Sequence, residues 1–172
     1  MSLDGEPLIW MSYPAIDFIK NRIHKRMSVF EYGCGAGTLW WASRVKEVKA
    51  CEHDFAWFKK IQAIAPTNVQ LCHTNLEYDG EYSKKILDYR NRFDIVVIDG
   101  RDRVNCAINC IHALKEDGII IFDDSDRPQY RKAFDFLTTN GFKRIEFQGM
   151  GPGLTIKFET SIFYRADNVF SI

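Results

Sequence analysis

Apolar positions along the chain switch repeatedly between a helical and a strand period, and the switches mark out alternating elements. Ser12 and Pro14 open a helical stretch with Ile16, Ile19 and Ile23 on one face, and residues 28–32 then read as a strand running into a glycine cluster. Residues 38–44 have helical spacing and 48–52 form a second short strand. Asp54 is placed to cap a helix carrying Phe55, Phe58 and Ile61 on one side, stopped by Pro66. A third strand is expected over 69–73, a helix over 82–90, an apolar fourth strand over 93–99 and a helix over 104–114. Asp117-Gly118 reads as a turn into a fifth strand, Ile119-Ile120-Ile121-Phe122, whose unbroken apolar run predicts burial on both faces; Asp123-Asp124-Ser125-Asp126 ends it. Residues 128–140 are expected to be helical with Gly141 just past the end, and residues 143–148 and 161–165 supply two further strands with no helix between them. Such alternation predicts an α/β fold: one doubly wound Rossmann-like sheet, parallel strands with right-handed crossovers, helices on both faces, and a closing pair free to run antiparallel.

The length of 172 residues fits a single domain, with residues 1–27 as an N-terminal extension and helix packed on a body spanning 28–172. Lys+Arg and Asp+Glu are equal at 23 each, so no net field draws in a phosphate backbone or an anionic membrane, and a nucleic-acid partner is disfavoured. The apolar runs are far shorter than the ~20 residues a membrane-spanning helix needs. Asp4, Glu6 and Pro7 stand where a secretory signal would be basic and then apolar, so a cytoplasmic location is expected. Five cysteines without a Cys-x-x-Cys argue against a disulfide framework and a zinc knuckle, leaving them as reduced, mostly buried small hydrophobes.

In open α/β sheets ligands bind beyond the carboxyl ends of the strands. The conspicuous residues collect there: Glu31 to Gly37 after the first strand, Glu52-His53-Asp54 after the second, His73-Thr74-Asn75 after the third, Asp99-Gly100-Arg101-Asp102 after the fourth, Asp123-Asp124 after the fifth. The cluster Gly33-Cys34-Gly35-Ala36-Gly37 is by itself a tight strand-to-helix turn. With Glu52 at the next strand end, where a carboxylate can accept from both hydroxyls of a ribose, it points to a nucleoside-containing ligand. A dinucleotide fingerprint would need glycine at position 38, which is Thr38. Glu31 would also lie close to a pyrophosphate, where like charges cost on the order of 4 kcal/mol at an effective dielectric near 20. The group near Glu31 is therefore expected to be cationic, as the sulfonium and ammonium of S-adenosylmethionine are.

Val29 to Thr38 resembles the first motif of class I S-adenosylmethionine-dependent methyltransferases. Glu52 falls at that family's ribose-binding acid, and His73-Thr74-Asn75-Leu76 is similar to its adenine segment with Asn75 in place of the acid. Residues 93–99 and 114–120 resemble its fourth and fifth strand motifs. The resemblance implies seven strands in the order 3-2-1-4-5-7-6, and S-adenosylmethionine, converted to S-adenosylhomocysteine, bound by Glu31, Gly33, Cys34, Gly35, Gly37, Thr38, Glu52, His53, Asn75 and Asp99. It also implies in-line methyl transfer to a small-molecule or sugar acceptor, with oxygen preferred because no Asn/Asp-Pro-Pro-Tyr signature follows the fourth strand.

Asp99, Asp123 and Asp124 are expected to cluster near the methyl group, with Asp99 and Asp124 as candidates for taking the acceptor's proton. The same three acids loosely resemble those of metal-dependent catechol-type O-methyltransferases, and hard oxygens suit Mg²⁺. The family's Asp-Asn pair is Asp-Asp here and the spacing is shorter, which disfavours a metal. Asp126 and Arg127 then form a helix cap and a solvated pair. Trp40, Trp41, Trp57 and Phe58 read as helix-face packing, His24 and His112 as structural residues on helices, and residues 149–153 as either a cover for an acceptor or a plain connection. A non-catalytic module that binds S-adenosylmethionine and a nicotinamide-dependent oxidoreductase are the alternatives, the second opposed by Glu31 and Thr38.

Overall fold

The computed structural model describes Gly5 and residues 7–172; Met1, Ser2, Leu3, Asp4 and Glu6, two acids noted above among them, lie outside the described residues. The elements are α1 (Tyr13–Lys20), β1 (Ser28–Tyr32), α2 (Ala36–Ala42), β2 (Glu47–Glu52), α3 (Phe55–Gln62), β3 (Val69–His73), α4 (Glu81–Lys84), β4 (Phe93–Ile98), α5 (Arg103–Cys110), β5 (Leu114–Phe122), α6 (Arg131–Thr139), β6 (Lys143–Gly149) and β7 (Phe158–Tyr164). The strands form one seven-stranded sheet in the order β3-β2-β1-β4-β5-β7-β6. Neighbours from β3 to β5 are parallel, and β7 runs antiparallel to both β5 and β6. Strand order reverses between β1 and β4, so a crevice opens beyond their carboxyl ends.

Because side chains alternate along a strand, the sheet feeds two cores. Val29, Ile95, Val97, Ile119 and Ile121 face Ala15 and Ile19 of α1 and Trp40 and Trp41 of α2. Phe30, Tyr32, Val96, Ile98, Ile120 and Phe122 face Tyr82 of α4, Cys106 and Ala107 of α5 and Leu137 of α6. Burial of β1, β4 and the second half of β5 on both faces accounts for their near-continuous apolar runs. The buried polar strand residue Asp94 is satisfied by the Ser28 amide at 2.7 Å and by Lys115 Nζ at 2.8 Å.

Several boundaries depart from the periodicity, each for a local reason. The helix expected over 82–90 becomes the single turn α4 and a tight turn over Lys85–Asp88, because Tyr89 is extended so that its ring meets Phe93. Asp117-Gly118 is not a turn into β5 but lies inside it. Leu114 pairs with Phe93 and Ile119 with Ile95, so the strand bulges, and a Cβ on Gly118 would stand 2.7 Å from Leu114. The helix expected from Pro128 starts as a 3₁₀ turn over Pro128–Tyr130, and Gly141, at φ +84°, ends α6 with its amide and that of Phe142 on Thr138 and Leu137. Ser12 does not cap α1: its hydroxyl donates to the Phe147 carbonyl at 2.8 Å and its amide to Thr160 Oγ1 at 3.1 Å, which fastens the N-terminal segment to β6 and β7. His24 and His112 fall in the turns after α1 and α5 instead of on helices.

Candidate functional site

Gly33 leaves β1 at φ +88°, where a Cβ would come 3.1 Å from the Asp99 carbonyl and 3.2 Å from Gly100 Cα. Glycine there lets β1 and β4 close tightly at their carboxyl ends. The amides that follow are already spoken for. Cys34 N donates to Glu52 Oε2 at 3.0 Å, and Gly35 N donates to Thr38 Oγ1 at 2.9 Å. Thr38 in turn donates to Glu31 Oε2 at 2.5 Å, and Gly37 must lack a side chain because a Cβ would stand 2.9 Å from Glu31 Oε1. Two of the loop's amides, those of Cys34 and Gly35, are thus turned toward protein side chains instead of toward a ligand phosphate.

Glu31 is buried, and removal from water pushes its carboxyl up to about 8, partly opposed by the Thr38 hydroxyl and reinforced by Asp99 and Glu52. Glu52 is also buried, but accepts three backbone amides: Cys34 on Oε2, His53 and Asp54 on Oε1, the last two at 2.8 Å. Oε2 therefore keeps a lone pair for a hydroxyl donor. His53 Nδ1 approaches Glu52 Oε1 to 2.8 Å outside hydrogen-bond geometry. Asp54 caps α3 through the Trp57 amide at 2.8 Å, and the Trp57 indole donates to the Cys34 carbonyl at 2.6 Å. Trp57 is thus not helix-face packing: it is 43% exposed and latches α3 onto the glycine loop. Cys34 is buried, and burial beside Glu52 raises its thiol far from the range of a nucleophile.

These residues wall a cavity of about 790 Å³. Its lining includes Glu52, His53 and the apolar Trp57, Ile61 and Ile64, together with Glu31, Asp99, Asp124 and the arginines 101, 103 and 127. Asn75, exposed in the loop after β3, is not among its lining residues, and Thr38 is reached only through Glu31.

At the end of β4, Asp99, Asp123 and Asp124 do converge, but around a guanidinium. Arg103 Nη2 lies 3.2 Å from Asp99 and 3.2 Å from Asp124, its Nε donates to the Gly100 carbonyl at 3.0 Å, and Nη1 donates to the Asp123 carbonyl. Arg127 pairs with Asp124 at 2.8 Å, not with its neighbour Asp126. Asp123 is buried, accepts from Thr160 Oγ1 at 2.5 Å, and is held well above the carboxylate range by burial and the neighbouring Asp99. Burial also lifts Asp99, to about 6, with Arg103 opposing and Asp124 adding to the rise. This donor set does not fit a divalent cation, because a fixed positive charge already bridges the acids. Among the described residues no group of three or more His, Cys, Asp or Glu is arranged to hold one, and no helix is long and apolar enough to cross a membrane.

A second chamber of about 270 Å³ meets the first at Trp10, Asp99 and Asp124, and is completed by Asp123, Pro152, Leu154 and Phe158. Of residues 149–153, Pro152 lines this chamber, and the loop is anchored by Tyr13 N on the Met150 carbonyl at 2.8 Å. Trp10, Leu154, Phe158 and Arg103 are among the lining residues that the sequence analysis did not single out. Arg103 left a trace in the sequence, as the i, i+4 partner of Asp99.

No protein-family model and no curated protein matches the chain. Solved structures do. The precorrin-6y C5,15-methyltransferase of Geobacter metallireducens superposes with a TM-score of 0.66 at 15% identity, over 88% of this chain and 87% of that one. The N-methyltransferase NodS of Bradyrhizobium japonicum, in complex with S-adenosylhomocysteine, gives 0.57 at 16% identity over 82% and 79%. The spermidine synthase of Thermotoga maritima gives 0.63 at 14% identity over 86% of this chain, which spans 56% of the synthase. Likeness at these identities speaks to architecture, and together with the strand order it shows that the chain has the seven-stranded Rossmann-like fold of the class I S-adenosylmethionine-dependent methyltransferases.

Proposed function

We propose that the protein binds S-adenosylmethionine in the larger cavity and transfers its methyl group to a small-molecule acceptor held in the smaller chamber, at oxygen. The observation that carries this reading is the glycine loop, whose Cys34 and Gly35 amides are taken by Glu52 and Thr38 while a buried acid, Glu31, stands behind it. Glu31, kept protonated by its burial until a positive charge settles beside it, favours a cationic ligand over a pyrophosphate. The residues present fit such a ligand: the open lone pair on Glu52 Oε2 can take a ribose hydroxyl, Trp57, Ile61 and Ile64 offer an apolar wall to a base, and Glu31 and Asp99 face the cationic end. A volume of about 790 Å³ is within the range of nucleoside-sized ligands.

When bound, S-adenosylmethionine supplies a methyl group on a sulfonium, which leaves to an attacking acceptor atom as the carbon–sulfur bond breaks with its electrons on sulfur, giving S-adenosylhomocysteine. Asp99, at the junction of the chambers and raised to about 6, accepts the acceptor's proton near neutral pH. Asp124 fixes Arg103 and Arg127, and so positions Asp99 through the shared guanidinium.

Calorimetric titration of S-adenosylhomocysteine, with NAD as control, tests the cofactor. Micromolar binding that weakens at least ~10-fold in a folded Glu52→Ala variant is expected, about 1.4 kcal/mol. Equal or tighter binding of NAD, or no binding of S-adenosylhomocysteine, overturns the reading.

A further inference from the structure

The smaller chamber differs from the larger one in the chemistry of its walls. Four of its seven lining residues, Trp10, Pro152, Leu154 and Phe158, are mainly apolar, and its polar groups are the carboxyls of Asp99, Asp123 and Asp124 and the Trp10 indole N–H. The apolar surface continues outward: Trp10 is 56% exposed, and Met150, Ile156 and Tyr13 stand exposed on the β6–β7 loop and the segment it is bonded to. Gly149 and Gly151 fix that loop closely, since a Cβ on Gly151 would lie 2.6 Å from the Phe158 ring and one on Gly149 2.7 Å from Pro14.

The acidic side is not a trap for a cation. Asp99 and Asp124 are matched by Arg103 and Arg127, and Asp123 accepts from Thr160 while its burial disfavours the charged form, so the acids of this floor are largely compensated from within. An ammonium acceptor would leave water without a net opposite charge to receive it. A sugar fares no better, for its several hydroxyls would face Pro152, Leu154 and Phe158, whose side chains neither donate nor accept, each unpaired hydroxyl costing roughly 1–3 kcal/mol. A flat, neutral, largely apolar molecule with a single hydroxyl meets both constraints, its ring between Trp10, Leu154 and Phe158 and its O–H on the carboxylate at the chamber junction.

We propose that the chamber takes an aromatic alcohol of the phenol class, one or two rings in size, with its ring against Trp10, Leu154 and Phe158 and its hydroxyl on Asp99. The assignment deepens the methyl-transfer function above and rests on it only for the reaction. There the phenol oxygen bonds to the methyl carbon, its proton passes to Asp99, and the electrons of the broken carbon–sulfur bond stay on sulfur.

Binding can be read without turnover. Trp10 is one of four tryptophans, and its indole N–H resonance is identified by its loss in Trp10→Phe. Titrated with a naphthol, methyl glucoside and cyclohexylamine in turn, the protein should show that resonance moving with the naphthol alone. In Leu154→Asp, which alters an exposed position of the β6–β7 loop, naphthol affinity should fall at least tenfold while S-adenosylhomocysteine affinity holds. With tritiated S-adenosylmethionine, label should appear in the naphthol at least a hundredfold faster than in the other two. A resonance that the naphthol leaves unmoved, or that the glucoside or the amine moves at equal or lower concentration, overturns the assignment, as does faster labelling of either. Failure of S-adenosylhomocysteine to bind overturns the cofactor instead, and leaves the naphthol titration to decide the chamber by itself.

Discussion

Thr38 donates its hydroxyl to Glu31 at 2.5 Å while accepting the amide of Gly35 at 2.9 Å, so one side chain both closes the glycine loop and partners its buried acid. A glycine at this position, as a dinucleotide fingerprint requires, would leave both groups without a partner. Thr38→Val preserves shape and removes the oxygen. It is expected to cost roughly 1–3 kcal/mol of stability, the usual price of an unsatisfied buried polar group, and to weaken S-adenosylhomocysteine at least tenfold. Thr38→Ser should retain both; urea denaturation and calorimetry of the two variants provide the check.

Glu31 makes stability depend on pH with a definite sign. Its folded value of about 8 lies above the ordinary 4.5, so the folded protein holds a proton that the unfolded chain releases. The contribution is full below 4.5 and is lost as pH rises from there through 8. Glu31→Gln removes that slope, and should gain on the wild type by at least ~1 kcal/mol between pH 5 and pH 9 in denaturant titrations. It should also bind S-adenosylmethionine more weakly. At pH 7 a cation settling beside Glu31 must expel its proton, so calorimetry in buffers of different ionisation heat should show proton release by the wild type and none by Glu31→Gln.

The central strands β4 and β5 were legible as apolar runs ended by polar residues, the outer ones as short apolar–polar alternations between turn residues, and β3 matches the expected bounds to the residue. The bulge at Asp117-Gly118 was not, since an Asp-Gly pair signals a turn locally and only pairing with Phe93 shows that the strand has already begun. The acids of the site were visible as strand-end residues. Their neutralisation was not, because Arg103 reaches Asp123 and Asp124 on another strand end, and Trp10 arrives from a segment tied down by Thr160. Periodicity reports what lies along one element; the site is made where several meet.

Arg103 bridges Asp99 and Asp124, each at 3.2 Å, and lowers what burial raises in Asp99. Replacing it by Gln removes that positive charge. If Asp99 accepts the acceptor's proton, the pH–rate profile for a methylated phenol rises near 6 in the wild type, and its rising limb should move to higher pH in Arg103→Gln. Asp99→Asn should flatten the limb and lower kcat on the order of a hundredfold. Losing one partner from a buried ion cluster also costs stability, roughly 3–5 kcal/mol, so the profile is measured below the variant's melting range.

The close approach of β1 and β4 that opens the crevice can be tested at Gly100. A Cβ there would fall 2.0 Å from the Tyr82 hydroxyl oxygen and 3.0 Å from both Gly33 N and Tyr32 C. Gly100→Ala must therefore push Tyr82 aside and spread the two strand ends, an overpacking expected to cost about 1–3 kcal/mol. Tyr82→Phe deletes the nearest obstacle at the loss of its hydrogen bond from the Arg101 amide, 3.4 Å long. The two changes should then couple favourably: Gly100→Ala costs at least ~0.5 kcal/mol less when Tyr82 is already Phe. The backbone contacts with Gly33 persist in the double variant, so its stability recovers only in part, and S-adenosylhomocysteine affinity stays reduced because the glycine loop remains displaced. An equal cost of Gly100→Ala in both backgrounds would place the whole strain in the β1–β4 backbone contact and none in Tyr82.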